Sequence, residues 1–329
     1  MMKIIAHGDA DGICSAALVL MVPLFKKLNP EIFFSHPTGL SHDLANVNED
    51  LIILDIAQDR KHWSYAQAEL ERISKKNNVI FIDHHEIIGE MPKDVEFYNK
   101  EGISATELTY KFFRDDMPES ADLTACIGAI CDYMIDSPLM KDLMIRFEKR
   151  ALFLDAGLLA QSLYPLSRDY QAKREITVNL SNFLAPVEME LITKNAIEYS
   201  IIEKHERGKI IKSYDRLKNI AFIRNPKASR SKAAHWIMGD SGLTVGLVIT
   251  DHFTKKDKVD FVIRGRDLID LRKVVPSIAE KYGGTAGGHS NACGARIPKI
   301  HLDAFLEDFD NAISLILKTN NLNNTNGKK

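Results

Sequence analysis

Val79-Ile80-Phe81-Ile82-Asp83-His84-His85 runs four apolar residues straight into a carboxylate and two imidazoles. An unbroken apolar run of this length suits a strand buried on both faces, as in a parallel sheet covered by helices. Three metal-competent side chains at its end make little packing sense. They make good sense as part of a divalent-metal site, because carboxylate and imidazole are ligands such ions take. Working outward, Lys3-Ile4-Ile5-Ala6, Glu31–Ser35 and Leu51–Leu54 read as further strands, with helices over Gly12–Lys27 and Lys61–Lys75. Strands alternating with helices predict an α/β fold with a parallel sheet in the first half.

Polar residues gather at the ends of these strands. His7-Gly8-Asp9-Ala10-Asp11-Gly12 closes the first, Asp55 the third and Asp83-His84-His85 the fourth. Ligands of open parallel sheets bind outside the carboxyl ends of the strands, so these positions face one region. Asp132 joins them from a helical, largely apolar context where an unpaired carboxylate is costly. Singly, Asp11 reads as a helix cap and the histidines as core residues. Together, so many carboxylates need a cation to neutralise them, and their number predicts two ions.

After Ser104 the pattern is mostly helical, over Thr106–Arg114, Ala121–Met134, Met140–Gln161 and, with a break near Pro186, Arg174–Glu206. The expected organisation is a metal-binding domain over 1–185, a helical linker over 186–208, and a smaller α/β domain over 209–318. Residues 319–329, Asn-rich and ending in two lysines, read as a disordered tail. Strands are expected at Ile220–Ile223, Leu243–Thr250 and Val259–Ile263, and helices at Ser231–Met238, Leu271–Tyr282 and Leu302–Lys318. Gly283-Gly284-Thr285-Ala286-Gly287-Gly288-His289 reads as a phosphate-cradling loop, with His289 as a further donor. Arg264 suits bidentate phosphate binding at a strand end. Arg266 competes for that role, although Asp267 or Asp270 offers it a surface partner.

The 329 residues carry 43 Lys and Arg against 45 Asp and Glu, so no global positive field advertises long nucleic acid. Basic residues concentrate between Glu203 and Lys232, where only Glu203, Glu206 and Asp215 oppose them. Cys14, Cys126, Cys131 and Cys293 lack zinc-type spacing and suit reduced thiols in a cytoplasmic protein. The first residues do not read as a signal peptide. The longest apolar stretch, Ile13 to Phe25, is shorter than the about 20 residues a membrane span needs.

These motifs, in this order, resemble the DHH phosphoesterase superfamily, in the subfamily with a Gly-Gly-His C-terminal domain that includes RecJ-like exonucleases and nanoRNA and dinucleotide phosphodiesterases. The resemblance covers residues 1 to about 300. It implies a metal domain and a substrate domain joined by a helical linker, with the active site in the cleft between them. It implies one ion on His7, Asp9 and Asp55, and a second on Asp11, Asp55, His84 and Asp132. His85 would meet the scissile phosphate or protonate the leaving oxygen, and Asp83 would orient a neighbour or touch metal. Arg264, Gly287, Gly288 and His289 would hold a substrate phosphate. Mn²⁺ is the implied cofactor, with Mg²⁺ or Co²⁺ as substitutes. Val262 departs from the family, where relatives often carry a serine two positions before the arginine.

The function so implied is hydrolysis of short single-stranded RNA or DNA, or of dinucleotides, to nucleoside 5′-monophosphates from the 5′ end. Alternatives are a RecJ-like 5′–3′ exonuclease on single-stranded DNA and a non-catalytic scaffold in a replication or repair complex. Self-association stays open.

Overall fold

The computed structural model describes residues 2–288 and 290–326, without the side chains of 320–326. The chain divides into two compact units, Met1–Ser200 and Ile201–Lys329. The first begins β1 (Met2–His7), α1 (Ala10–Met21), α2 (Pro23–Leu28), β2 (Glu31–Ser35), α3 (Leu40–Leu44) and β3 (Asp50–Leu54). It continues α4 (Trp63–Ser74), β4 (Val79–Asp83), β5 (Val95–Asn99), α5 (Ala105–Phe113) and α6 (Ala121–Cys131). Then come α7 (Pro138–Met144), α8 (Lys149–Leu166), α9 (Tyr170–Ser181) and α10 (Glu190–Ile210), and the boundary between the units falls inside α10.

The strands form one parallel sheet in the order β2-β1-β3-β4-β5. Side chains alternate across it, as the two-residue repeat of a strand requires. Ile4, Ile52 and Ile82 enter a core shared with α1, α5, α6 and α9, whereas Ile5, Ile53 and Phe81 enter one shared with α3 and α4. Both faces are therefore covered, which is why these strands read as continuous apolar runs. Helix α1 is buried at every position, so it is apolar all round. In this order the chain leaves β1 in one direction for β2 and in the other for β3. That reversal opens a crevice at the carboxyl ends of β1 and β3, where doubly wound sheets bind ligands.

Several expected elements are shorter or divided. The helix expected to reach Lys27 ends at Met21, because Pro23 starts α2 at its first position. The single helix expected over Met140–Gln161 is two, α7 and α8, and Arg174–Glu206 separates into α9 and α10 around a short turn at Pro186–Glu188. Strand β5 was not expected: its inward Val95 and Phe97 alternate with polar or half-exposed neighbours at the sheet edge.

The second unit holds β6 (Asp215–Arg216), β7 (Ile220–Arg224), α11 (Arg230–Ser241), β8 (Val245–Asp251), β9 (Lys258–Gly265), α12 (Leu271–Lys281), β10 (Thr285–Gly288), β11 (Ala292–Pro298) and α13 (Leu302–Asn326). Its mixed sheet runs β10-β11-β9-β8-β7-β6, with only β7 and β8 parallel. The glycine-rich element is not an irregular loop: Thr285–Gly288 pairs antiparallel with β11. A Cβ on Gly288 would lie 2.3 Å from the Ala292 oxygen, and its φ is +143°, so only glycine closes this hairpin. Helix α13 continues past Lys318 to Asn326, through most of the segment read as a tail. No helix among the described residues is long and apolar enough to cross a membrane.

Candidate metal centre

The first unit's polar strand ends meet at the crevice. Asp9 caps α1, its Oδ1 accepting from the Gly12 amide at 3.1 Å, so the alternative reading of Asp11 as that helix's cap does not hold. The other oxygen of Asp9 lies 2.8 Å from His7 Nδ1, which is 3.5 Å from Asp55 Oδ2. Asp55 follows β3 with φ at +60°, a conformation that non-glycine residues hold only where their surroundings impose it. Its second oxygen, Oδ1, lies 3.4 Å from His84 Nε2. The two oxygens of Asp55 thus face two different histidines.

Asp11 is anchored from the other side. It accepts from the Ala105 and Thr106 amides at 2.9 and 2.8 Å, and from the Thr106 hydroxyl, all in the first turn of α5. The positive end of that helix favours a carboxylate. Asp11 Oδ2 is 3.9 Å from His84 Nε2, and Asp132, at the carboxyl end of α6, is 3.8 Å from His84 Nδ1. Helices α5 and α6 pack closely here, because a Cβ on Gly128 would stand 2.2 Å from Thr106 Oγ1.

Three overlapping sets result, each with donor atoms within 4.8 Å of one another: His7 with Asp9 and Asp55; Asp11 with His84 and Asp132; and Asp55 with His84 and His85. Asp83 stands apart from these sets. Its carboxylate accepts from His85 Nδ1 at 2.8 Å and from the His85 amide at 3.3 Å, so it fixes that ring's orientation. Asn99 donates to the His85 carbonyl, and buried Gln58 accepts from the Ile88 and Gly89 amides, which ties down the segment after His85.

The residues present fit divalent cations. Asp55 Oδ2 and Asp132 Oδ2 are buried without a hydrogen-bond donor among the described residues, an arrangement a cation would satisfy. Burial, then the charges of Asp9 and Asp11, pushes Asp55 well above the ordinary carboxylate range. Burial and Asp11 push Asp132 up to about 8. Asp9, aided by Asp55 and opposed by burial, raises His7 to about 11. Acids held above their ordinary range would release their protons on binding a cation. Carboxylate and imidazole together form a donor set of the kind that divalent cations take.

In the second unit, Arg264 sits in β9 between Gly246 of β8 and Ala292 of β11. It donates to Ser231 Oγ at 2.7 Å and to the Ile263 carbonyl. Gly287 and Gly288 pair with Gly294 and Cys293. Arg266 is exposed, and Asp270, one partner expected for it, is instead held by Arg272 at 3.1 Å and Lys273 at 3.7 Å. His289 lies outside the described residues. Sequence reasoning missed Thr106, Gln58, Ser231 and the buried Lys173, which donates to the Gly8 carbonyl at 2.6 Å. None carries a local signal, since each acts on a residue at least thirty positions away or on another element.

Residues 2–135 match the DHH family, N-terminal domain, and residues 221–315 match the DHHA1 domain. The chain belongs to the DHH superfamily. Its DHHA1 match covers β9 with Arg264 and the β10–β11 hairpin. Members of the DHH family are metal-dependent phosphoesterases and nucleases. Solved structures share the fold at low identity. A DHH domain described as a member of a family of ribosomal proteins aligns at TM-score 0.67 and 18% identity, covering 95% of this chain and 86% of that one. Exonuclease RecJ bound to manganese aligns at 0.60 and 16%, covering 95% and 90%. The pGpG-specific phosphodiesterase PggH from Vibrio cholerae aligns at 0.58 and 14%, covering 97% and 99%. No curated protein sequence matches the DHH chain.

Proposed function

We propose that the chain is a two-metal, Mn²⁺-dependent phosphodiesterase that hydrolyses short oligonucleotides or dinucleotides to nucleoside 5′-monophosphates, from the 5′ end. One observation carries the reading: Asp55 presents one oxygen toward His7 and the other toward His84, as a carboxylate bridging two ions would. His7, Asp9 and Asp55 hold the first ion; Asp11, Asp55, His84 and Asp132 hold the second. Mg²⁺ or Co²⁺ substitutes. When bound, the ions supply Lewis acidity and bring the ionisation of water into the neutral range.

His85, oriented by Asp83, meets the scissile phosphate or protonates the leaving oxygen. Arg264, Gly287, Gly288 and His289 hold a second phosphate of the substrate, and Ser231 steadies the guanidinium. Arg266 is the reserve arginine of this group. A fixed phosphate clamp favours cleavage near a strand end over internal cutting. The complete donor sets speak against a purely non-catalytic scaffold.

The test is a comparison of initial rates with Mn²⁺ on linear dinucleotides, cyclic di-AMP, a 5′-labelled 5-mer and a long single strand of DNA, with EDTA as control. Fast release of monophosphates from dinucleotides and the 5-mer supports the proposal. Preference for the long strand turns it into the RecJ-like exonuclease, and no Mn²⁺-dependent turnover on any substrate removes it.

A further inference from the structure

A cavity of about 340 Å³ opens beside the His7–Asp9 side of the metal centre, within the first unit. Its walls come from the end of β1, from the end of β2 with the turn into α3, and from the start of α9. The neighbouring cavity of about 310 Å³, lined by Asp9, Asp11 and Asp132, is part of the metal centre itself. The larger one is chemically different.

Two of its lining residues are exposed aromatics, Phe33 and Tyr170. The Tyr170 ring lies 6.4 Å from the Phe34 ring, with 23° between their planes, so its face has a defined orientation. The polar lining is mixed, with imidazoles from His7 and His36 beside the carboxylates and a lysine. Asp9 and Asp43 contribute carboxylates, and the one lysine, Lys173, is buried and donates to the Gly8 carbonyl. Asp43 is held in place by the Ser35 hydroxyl, which donates to its Oδ2 at 2.5 Å. A flat apolar face beside a fixed, acceptor-only carboxylate suits a planar heterocycle that presents N–H donors at its edge.

We infer that this cavity is a nucleobase subsite, taking the base of the nucleotide whose phosphate sits at the His7–Asp9–Asp55 set, and that it selects guanine. Guanine carries adjacent N–H donors at N1 and N2, which match the two oxygens of one carboxylate; uracil has a single N–H and no amino group. Tyr170 stacks on the base and Asp43 reads its edge. The assignment of that nucleotide to the metal centre rests on the phosphodiesterase reading, whereas the base selection does not.

The test is isothermal titration of the full chain with GMP and with UMP in the presence of Mn²⁺. The expected result is at least about tenfold tighter binding of GMP, the discrimination of one good bidentate contact. Asp43→Asn, which keeps an acceptor for Ser35, should bring the two affinities within about twofold of each other. Tyr170→Ala should weaken both by about tenfold, and Tyr170→Phe should restore them. Thermal unfolding of each variant checks that it is folded. Equal affinities in the wild type, or an unchanged preference in Asp43→Asn, overturn the subsite. Wild-type hydrolysis of bis(p-nitrophenyl) phosphate, which has no base, reports the metal centre separately. Guanine preference without that hydrolysis keeps the subsite and removes the hydrolase; hydrolysis without preference does the reverse.

Discussion

Asp55 concentrates the physics of the site in one residue. It is buried, strained at φ +60°, and surrounded by Asp9 and Asp11, so its ionised form is stable only beside a cation. Asp55→Asn should therefore reduce hydrolysis by at least about 10³-fold and abolish the rise in Tm that Mn²⁺ gives the wild type. The same change should raise the Tm of the metal-free protein at pH 8, because an amide removes a buried acid whose raised ionisation costs the fold stability there. The pH dependence has a definite sign. Carboxyl groups raised in the fold, such as Asp132 at about 8, cost the metal-free protein stability as pH climbs from the ordinary carboxylate range toward that value. His7, raised to about 11, contributes stability that is complete below its unperturbed value and declines as pH rises above it. Both effects act in one direction. In EDTA, the Tm should fall between pH 6 and pH 8.5, and the Mn²⁺-induced rise should be larger at pH 8.5; thermal melts at the two pH values check this.

Elements bring these residues within reach of one another. Helix α5 fixes Asp11 through its first turn, and α6 carries Asp132, so the spacing between the two helices sets the distance between two donors of the Asp11–His84–Asp132 set. Gly128 is the contact that permits this spacing. Gly128→Ala should push Thr106 away from Asp11, lower the Tm by several degrees and weaken Mn²⁺ binding, as melts with and without Mn²⁺ would show. At this scale the buried strands were readable, because both of their faces are apolar. Edge strand β5 was not, since only Val95 of its five residues is fully buried and its apolar positions are broken by Glu96 and Asn99. The β10–β11 hairpin was not either: a run of glycines has no side-chain pattern to reveal a strand, and its pairing depends on the close approach of β11.

For the whole molecule, the division of labour between the units gives its own expectation. The metal sets lie within Met1–Ser200 and Arg264 within Ile201–Lys329. Arg264→Ala should raise KM by about 10- to 100-fold, the effect of losing a charged hydrogen bond, while leaving the Mn²⁺-induced rise in Tm as in the wild type. Steady-state kinetics and a melt on one preparation measure both. A lost Tm response would place Arg264 in the metal centre's support instead.

The sequence by itself determined the class of fold and the identity of the metal-competent residues. Apolar strands ending in His7, Asp55 and Asp83-His84-His85 announce both, because strand burial and strand-end chemistry are written in consecutive residues. Tertiary structure alone decided the rest: that Asp9 rather than Asp11 caps α1, that Asp55 faces two histidines, and that Asp83 serves His85. It alone brought Asp43 and Tyr170 to one cavity from positions more than a hundred residues apart. Those facts depend on where distant side chains arrive after the sheet closes, and no local periodicity encodes that arrival.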